Sequence, residues 1–178
     1  MTIPNFITIG RFLMVPLVVW ALLNGLYATA FACFLIAGIS DGVDGFIARQ
    51  FDQRSELGAW LDPAADKLLL VSVYIMLGWL GELPDWLVVL VVSRDAMIVG
   101  AIILSSVMGM MVEMKPLLVS KANTFMQIAL AALVLAELAL VGVLPQTREI
   151  AVYVTAFLTL ASGIAYVRGW MRLMSAES

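Results

Sequence analysis

Apolar stretches of roughly twenty residues, separated by brief polar punctuation, run the length of the chain. The breaks fall at Asn24-Gly25, the polar stretch Gln50–Glu56, Gly81–Pro84, Glu113–Pro116 and Gly142–Pro145. They delimit six apolar segments near 5–24, 28–50, 57–80, 85–111, 118–142 and 147–171. Each approaches the ~20 apolar residues that a helix needs to cross the hydrocarbon core of a bilayer. The connections are short, so successive helices are expected as antiparallel neighbours. The pattern predicts an all-α, polytopic membrane protein: a bundle of six transmembrane helices forming a single domain over 1–178, with no soluble domain and no internal repeat.

Composition sharpens the class. Hydrophobic residues make up 63% of the 178 and charged residues 13%, too little polar side chain to cover a soluble domain of this length. The formal net charge is −3 and no basic stripe is present, so nucleic acid is not an expected partner. Histidine is absent, which excludes imidazole base catalysis and imidazole-ligated metals. The single cysteine, Cys33, lies in an apolar run, can form no intrachain disulfide and is expected to pack.

Arg11, the apolar run Phe12–Leu23 and Ala28-Thr29-Ala30 together imitate a signal peptide with an A-x-A cleavage site. The order of features argues against that. The basic residue comes late, Ile3–Ile9 ahead of it is already largely apolar, and Pro16 interrupts the supposed core. No Arg- and Ser-rich transit peptide precedes it, so a bacterial cytoplasmic (inner) membrane is the expected location. Arg11, Arg49, Arg54, Lys115, Lys121, Arg168 and Arg172 all lie near ends that six spans put on one side. The other side keeps Arg148, with Glu82, Asp85 and Glu149. The positive-inside rule then predicts both termini and the 50–56 loop in the cytoplasm.

Against this apolar background, the stretch DGVDGFIARQFDQRSELGAWLDPAAD (41–66) gathers acids. Asp41 and Asp44 share one helical face, and Gly45 and Ala48 continue it. On the next segment Gly58, Asp62 and Asp66 are spaced by four, again one face. Four carboxylates from two neighbouring helices can converge beside two glycines. Asp52 and Glu56, in the connection, are expected to face solvent. Four carboxylates in a low-dielectric site repel one another unless cations neutralise them. Oxygen-only ligands suit hard cations such as Mg²⁺ or Mn²⁺, and a two-ion clamp suits phosphoryl displacement. Glycines beside such ions let a flat base or a pyrophosphate approach the backbone. Acids inside a membrane segment point to function by default.

The pattern Asp41-x-x-Asp44-Gly45-x-x-Ala48-Arg49, eight residues, Gly58-x-x-x-Asp62-x-x-x-Asp66 resembles the full signature of the CDP-alcohol phosphotransferase family. The resemblance implies a membrane enzyme, typically homodimeric, that moves a phosphatidyl group from a CDP-linked lipid to an alcohol and releases CMP. It implies that Asp41, Asp44, Asp62 and Asp66 hold two divalent cations, Mg²⁺ or Mn²⁺, against the pyrophosphate of CDP-diacylglycerol. Gly45, Ala48 and Gly58 make room for cytidine, with Arg49 beside them in the signature. Asp66 doubles as general base toward the acceptor hydroxyl.

The flanks bear on the acceptor. Asn5, Thr8 and Arg11 drift along one side of the first segment, as in the phosphatidylglycerophosphate synthase and cardiolipin synthase branches, which implies contacts to donor phosphates or ribose. Each is equally suited to a polar helix start anchored at the interface. In KPLLVSKANTFMQ, Ser120, Asn123, Thr124 and Gln127 fall within an arc of ~100°, flanked by Lys121. This polar stripe is expected to face the bundle or a water-filled cavity, as a site or as a polar helix–helix contact. Lys115-Pro116, that stripe, Gln53-Arg54-Ser55 and Ser93-Arg94-Asp95 look like eukaryotic-type cardiolipin synthases. The implied acceptor is phosphatidylglycerol.

Arg94 and Asp95 fall deep in the fourth segment and need partners there. As neighbours they point ~100° apart, so they are not expected to pair with each other. Arg94 suits a lipid phosphate or a structural tie to an acid elsewhere. Candidates for acceptor or lipid-phosphate contacts are Arg11, Arg54, Lys67, Arg94, Lys115, Lys121, Asn123 and Gln127. A sister activity with glycerol 3-phosphate as acceptor is the first alternative. A divalent-cation transporter is a distant one, since broken helices and repeat symmetry are missing.

Overall fold

Among the described residues the chain forms six α-helices: α1 Ile3–Leu23, α2 Tyr27–Gln50, α3 Glu56–Trp79, α4 Asp85–Val107, α5 Leu118–Leu140 and α6 Pro145–Ala176. The structure, a computed structural model, describes residues 3–50, 56–107, 118–140 and 145–176, and the side chains of 10–40, 65–101, 118–140 and 147–171. No strand occurs among the described residues. The helices follow the six apolar segments, with ends that the turn residues explain.

Gly25 and Gly81 end α1 and α3 in the left-handed region, at φ 69° and 75°. After α1, the Leu26 amide donates to the Ala21 carbonyl at 2.8 Å and the Gly25 amide to Leu22 at 3.1 Å. After α3, Glu82 donates to Leu77 at 2.8 Å and Gly81 to Gly78 at 2.9 Å. Both are Schellman caps, which satisfy the last carbonyls of a helix and favour glycine at the turning residue. Pro84 opens α4, its carbonyl accepting from Leu87 at 2.9 Å. Asp85 in the first turn complements the positive end of that helix. Pro16 lies inside α1 without ending it.

Two compact units emerge. One comprises Met1–Glu82 with Ala131–Leu144, the other Leu83–Leu130 with Pro145–Ser178. In the first, α1 packs against both α2 and α3. Its core contains Val18, Ala21 and Leu22 from α1, Ala30 and Phe34 from α2, and Ala65, Leu69, Val73, Tyr74 and Leu77 from α3. In the second, α4 packs against α6, burying Leu87, Val91, Ala151, Val152 and Ala156. Trp86 and Tyr153 stack at its edge with centroids 6.2 Å apart.

The distribution of polarity in the second unit is inverted relative to a soluble domain. Arg94, Asp95, Asn123, Gln127, Thr155, Thr159 and Ser162 are buried, while Leu118, Phe125 and Phe157 are 82%, 73% and 70% exposed. That arrangement fits an apolar solvent, where polar groups turn inward and bond across helices. Among the described residues, Leu118–Leu140 and Thr147–Met171 are long and apolar enough to cross a membrane; Gly10–Leu23 and Tyr27–Ser40 are shorter apolar helices.

Candidate active site

The signature falls on two continuous helices. Asp41, Asp44, Gly45, Ala48 and Arg49 belong to the last turns of α2, and Gly58, Asp62 and Asp66 to the first half of α3. On these helices positions 41, 44, 45 and 48 share one face, as do 58, 62 and 66. The side chains of all of these except Asp66 lie outside the described residues, as do those of Asn5 and Thr8 on α1; Arg54 and Lys115 lie outside them entirely. Among the described residues no three potential metal-ligating side chains gather.

Asp66 is the signature acid whose surroundings are on view. Its Oδ1 accepts a hydrogen bond from Arg11 Nη1 at 2.8 Å, joining α3 to α1. The Arg11 side chain is 1% exposed and that of Asp66 41%. The acid is therefore reachable from outside and the cation is not. A guanidinium buried this deeply requires an anion, and Asp66 is one that it uses. Asp66 is an oxygen donor with accessible surface, which fits a hard divalent cation. Lys67, the next residue, is half-buried.

A second polar constellation lies in the other unit. Arg94 donates from Nη1 to Asp95 Oδ1 at 2.6 Å, from Nε to Ser162 Oγ at 3.2 Å, and from Nη2 to Ser120 Oγ and Ser162 Oγ, both at 2.5 Å. Its guanidinium also lies 5.7 Å from the centre of the Tyr166 ring, within cation–π range. The expectation that Arg94 and Asp95 do not pair is thus corrected. Their Cβ atoms diverge on α4, but the long arginine side chain bends back across that angle to its neighbour.

On α5 the polar stripe divides. Asn123 and Gln127 are fully buried, and Ser120 is half-buried. Thr124 is exposed and back-bonds to the Ser120 carbonyl of its own helix at 3.2 Å; Lys121 is exposed. Thr159 Oγ1 lies 2.8 Å from Asn123 Oδ1 and 2.7 Å from the Thr155 carbonyl, and its single proton serves one of them at a time. Asn123 Nδ2 and Thr155 Oγ1 are buried and have no hydrogen-bond partner among the described residues. Thr155, Thr159 and Ser162 form a stripe of their own on α6 at i, i+4 and i+7. That spacing is legible in the sequence, and two of its members make contacts across helices, Thr159 to Asn123 and Ser162 to Arg94. Beside this cluster a cavity of about 430 Å³ opens between α4 and α6, lined by Met97, Leu160, Ile164 and Met171 with Arg94 and Arg168.

Comparison with known proteins decides the family. A model of the CDP-alcohol phosphatidyltransferases matches residues 1–165. The chain belongs to that family. It is similar to the human cardiolipin synthase (CMP-forming), 32% identical over 181 residues, covering 93% of this chain and 60% of that protein. A cardiolipin synthase (CMP-forming) / mitochondrial hydrolase fusion protein of Schizosaccharomyces pombe is 34% identical over 185 residues, 93% of this chain and 30% of the fusion. The chloroplastic CDP-diacylglycerol–glycerol-3-phosphate 3-phosphatidyltransferase 1 of Oryza sativa subsp. japonica is 32% identical over 191 residues, 93% of this chain and 56% of it. The chain thus spans between under a third and three fifths of these relatives.

Proposed function

We propose that this CDP-alcohol phosphatidyltransferase is a cardiolipin synthase. The carrying observation is the complete family signature on two continuous helices, with an accessible Asp66 at its end. Similarity to cardiolipin synthases over 93% of the chain supports the acceptor. In the reaction the free glycerol hydroxyl of phosphatidylglycerol attacks the phosphorus of CDP-diacylglycerol that carries the diacylglycerol. The bond from that phosphorus to the bridging oxygen of the pyrophosphate breaks, and CMP leaves. Asp66 takes the hydroxyl proton, so the products are cardiolipin and CMP.

Asp41, Asp44, Asp62 and Asp66 are the residues that would hold two divalent cations, Mg²⁺ or Mn²⁺. When bound, these supply neutralisation of the pyrophosphate charge. Small residues at 45, 48 and 58 leave backbone open to the cytidine, and Asn5, Thr8 and Arg49 serve the CDP-lipid.

All six helices are read as membrane spans forming one domain, with both termini and the acidic site on the cytoplasmic face of a bacterial inner membrane. The one-sided distribution of Lys and Arg supports this orientation. The exposed Trp20, Trp79 and Trp86 near ends of α1, α3 and α4 support the reading of these helices as spans, since aromatics are enriched at both membrane interfaces. The active form is read as a homodimer.

One observation favours a second acceptor. The rice relative covers the same share of the chain, and its name specifies glycerol 3-phosphate. The deciding assay incubates purified protein with Mg²⁺ or Mn²⁺, labelled CDP-diacylglycerol and each acceptor separately. CMP and cardiolipin are expected with phosphatidylglycerol. Product with glycerol 3-phosphate alone would move the chain to the sister activity. Cation flux in proteoliposomes without lipid turnover would revive a transporter.

A further inference from the structure

We propose that Arg11 is a positioning residue for Asp66, acting through the carboxylate and not on a substrate phosphate. The inference rests on the role given to Asp66 above. It starts from the mismatch in exposure across the pair. Arg11 is 1% exposed and so presents no surface for a lipid phosphate, whereas Asp66 is 41% exposed. A ligand reaches the acid, and the arginine meets it from behind through Nη1–H···Oδ1 at 2.8 Å.

The place of Arg11 in the fold suits this task. It lies on α1, the helix that packs against both signature-bearing helices, α2 and α3. About two and three turns toward the C-terminal end, Val18, Ala21 and Leu22 are fully or almost fully buried and fix α1 against its neighbours. Ala65, beside Asp66, is fully buried and fixes α3. The donor and acceptor are therefore carried on rigid elements, which holds a reacting carboxylate in one orientation before substrate arrives. Arginine suits the position because its planar fork stays charged and loses little freedom per bond formed. Outer partners of ligating carboxylates typically change affinity or activity by about 10- to 100-fold when removed.

The test compares wild type with Arg11→Gln, Arg11→Lys, Asp66→Asn and the Arg11→Gln/Asp66→Asn double variant. Steady-state kinetics with CDP-diacylglycerol and phosphatidylglycerol is paired with Mn²⁺ binding followed by electron paramagnetic resonance. Arg11→Gln is expected to lower kcat about 10- to 100-fold, with KM for both lipids changed less than about threefold, and to weaken Mn²⁺ binding. Arg11→Lys should recover part of both losses. In the Asp66→Asn background, which lacks the carboxylate charge that Arg11 orients, Arg11→Gln should weaken Mn²⁺ binding less than it does in the wild-type background. A tenfold rise in KM for either lipid at unchanged kcat would make Arg11 a phosphate ligand and overturn the proposal. So would wild-type kcat and Mn²⁺ affinity in Arg11→Gln, or, should that variant not fold, KM-only effects in Arg11→Lys. Normal turnover by Asp66→Asn alone would instead overturn the role of Asp66 itself, a separate outcome read from a separate variant.

Discussion

Arg94 and Asp95 occupy consecutive positions on α4 and are ion-paired at 2.6 Å, with side chains 4% and 6% exposed. The pair neutralises a charge that would otherwise stand alone among apolar helices, and the rest of the guanidinium reaches Ser120 on α5 and Ser162 on α6. Asp95→Ala should therefore destabilise the fold by about 3–5 kcal/mol, the usual result of stranding one partner of a buried pair. Ser162→Ala should remove the acceptor used by Nε and Nη2 and destabilise by about 1–3 kcal/mol. Thermal unfolding in detergent checks both. An Asp95→Ala midpoint equal to wild type would show that the pair is not holding these helices.

Asn123 and Thr159 offer a cleaner measurement. Their contact joins α5 to α6 at 2.8 Å inside the second unit. Polar contacts between membrane helices average about 0.6 kcal/mol and reach about 1.7. A double-mutant cycle with Asn123→Ala and Thr159→Val should give a coupling energy in that range, with KM for phosphatidylglycerol nearly unchanged. A KM raised tenfold by Asn123→Ala alone, with little coupling, would assign Asn123 to substrate and not to helix packing.

These residues also show what was legible beforehand. The helices could be read because Gly25, Gly81 and Pro84 announce their ends through local backbone chemistry, which sequence carries directly. The signature could be read because its spacing is helical within each segment. The partners of the buried charges could not. Which acid Arg11 meets depends on how α1 lies on α3, a tertiary relationship that no local pattern encodes. The Arg94–Asp95 pair escapes an argument from Cβ directions because that argument ignores the length of the arginine side chain. The α6 stripe Thr155, Thr159 and Ser162 has helical spacing, but a reading led by charge passes over hydroxyls in an apolar run.

The turn glycines yield a prediction about backbone alone. A Cβ added at Gly25 or Gly81 would meet no atom within 4 Å, yet both residues hold positive φ. Alanine at either position should then lower stability by about 1–2 kcal/mol through left-handed strain, and not through a clash. Asn24→Ala, which loses the 2.7 Å bond from its side-chain amide to the Trp20 carbonyl, leaves the cap intact and should have a smaller effect. Equal midpoints for Gly25→Ala and wild type would mean that the turn re-forms differently.

The signature acids and small residues should separate chemistry from binding. Asp66→Asn keeps the size of the side chain and removes its basicity, so turnover should fall by about 10²–10⁴, the usual contribution of a positioned general base. Binding of CDP-diacylglycerol, followed by displacement of a fluorescent analogue, should be largely retained because the other three acids remain. Gly45→Leu should do the reverse in order of events. Position 45 lies one turn beyond Asp41 on α2, where, on the function proposed above, leucine would put bulk into the space for cytidine. CDP-lipid affinity should drop before any chemical step is reached. Chelation of divalent metal should abolish activity in wild type, with recovery on adding Mg²⁺ or Mn²⁺. Activity that persists through exhaustive chelation, or Gly45→Leu protein with wild-type affinity for CDP-lipid, would separate the acids from metal or the glycine from the nucleotide.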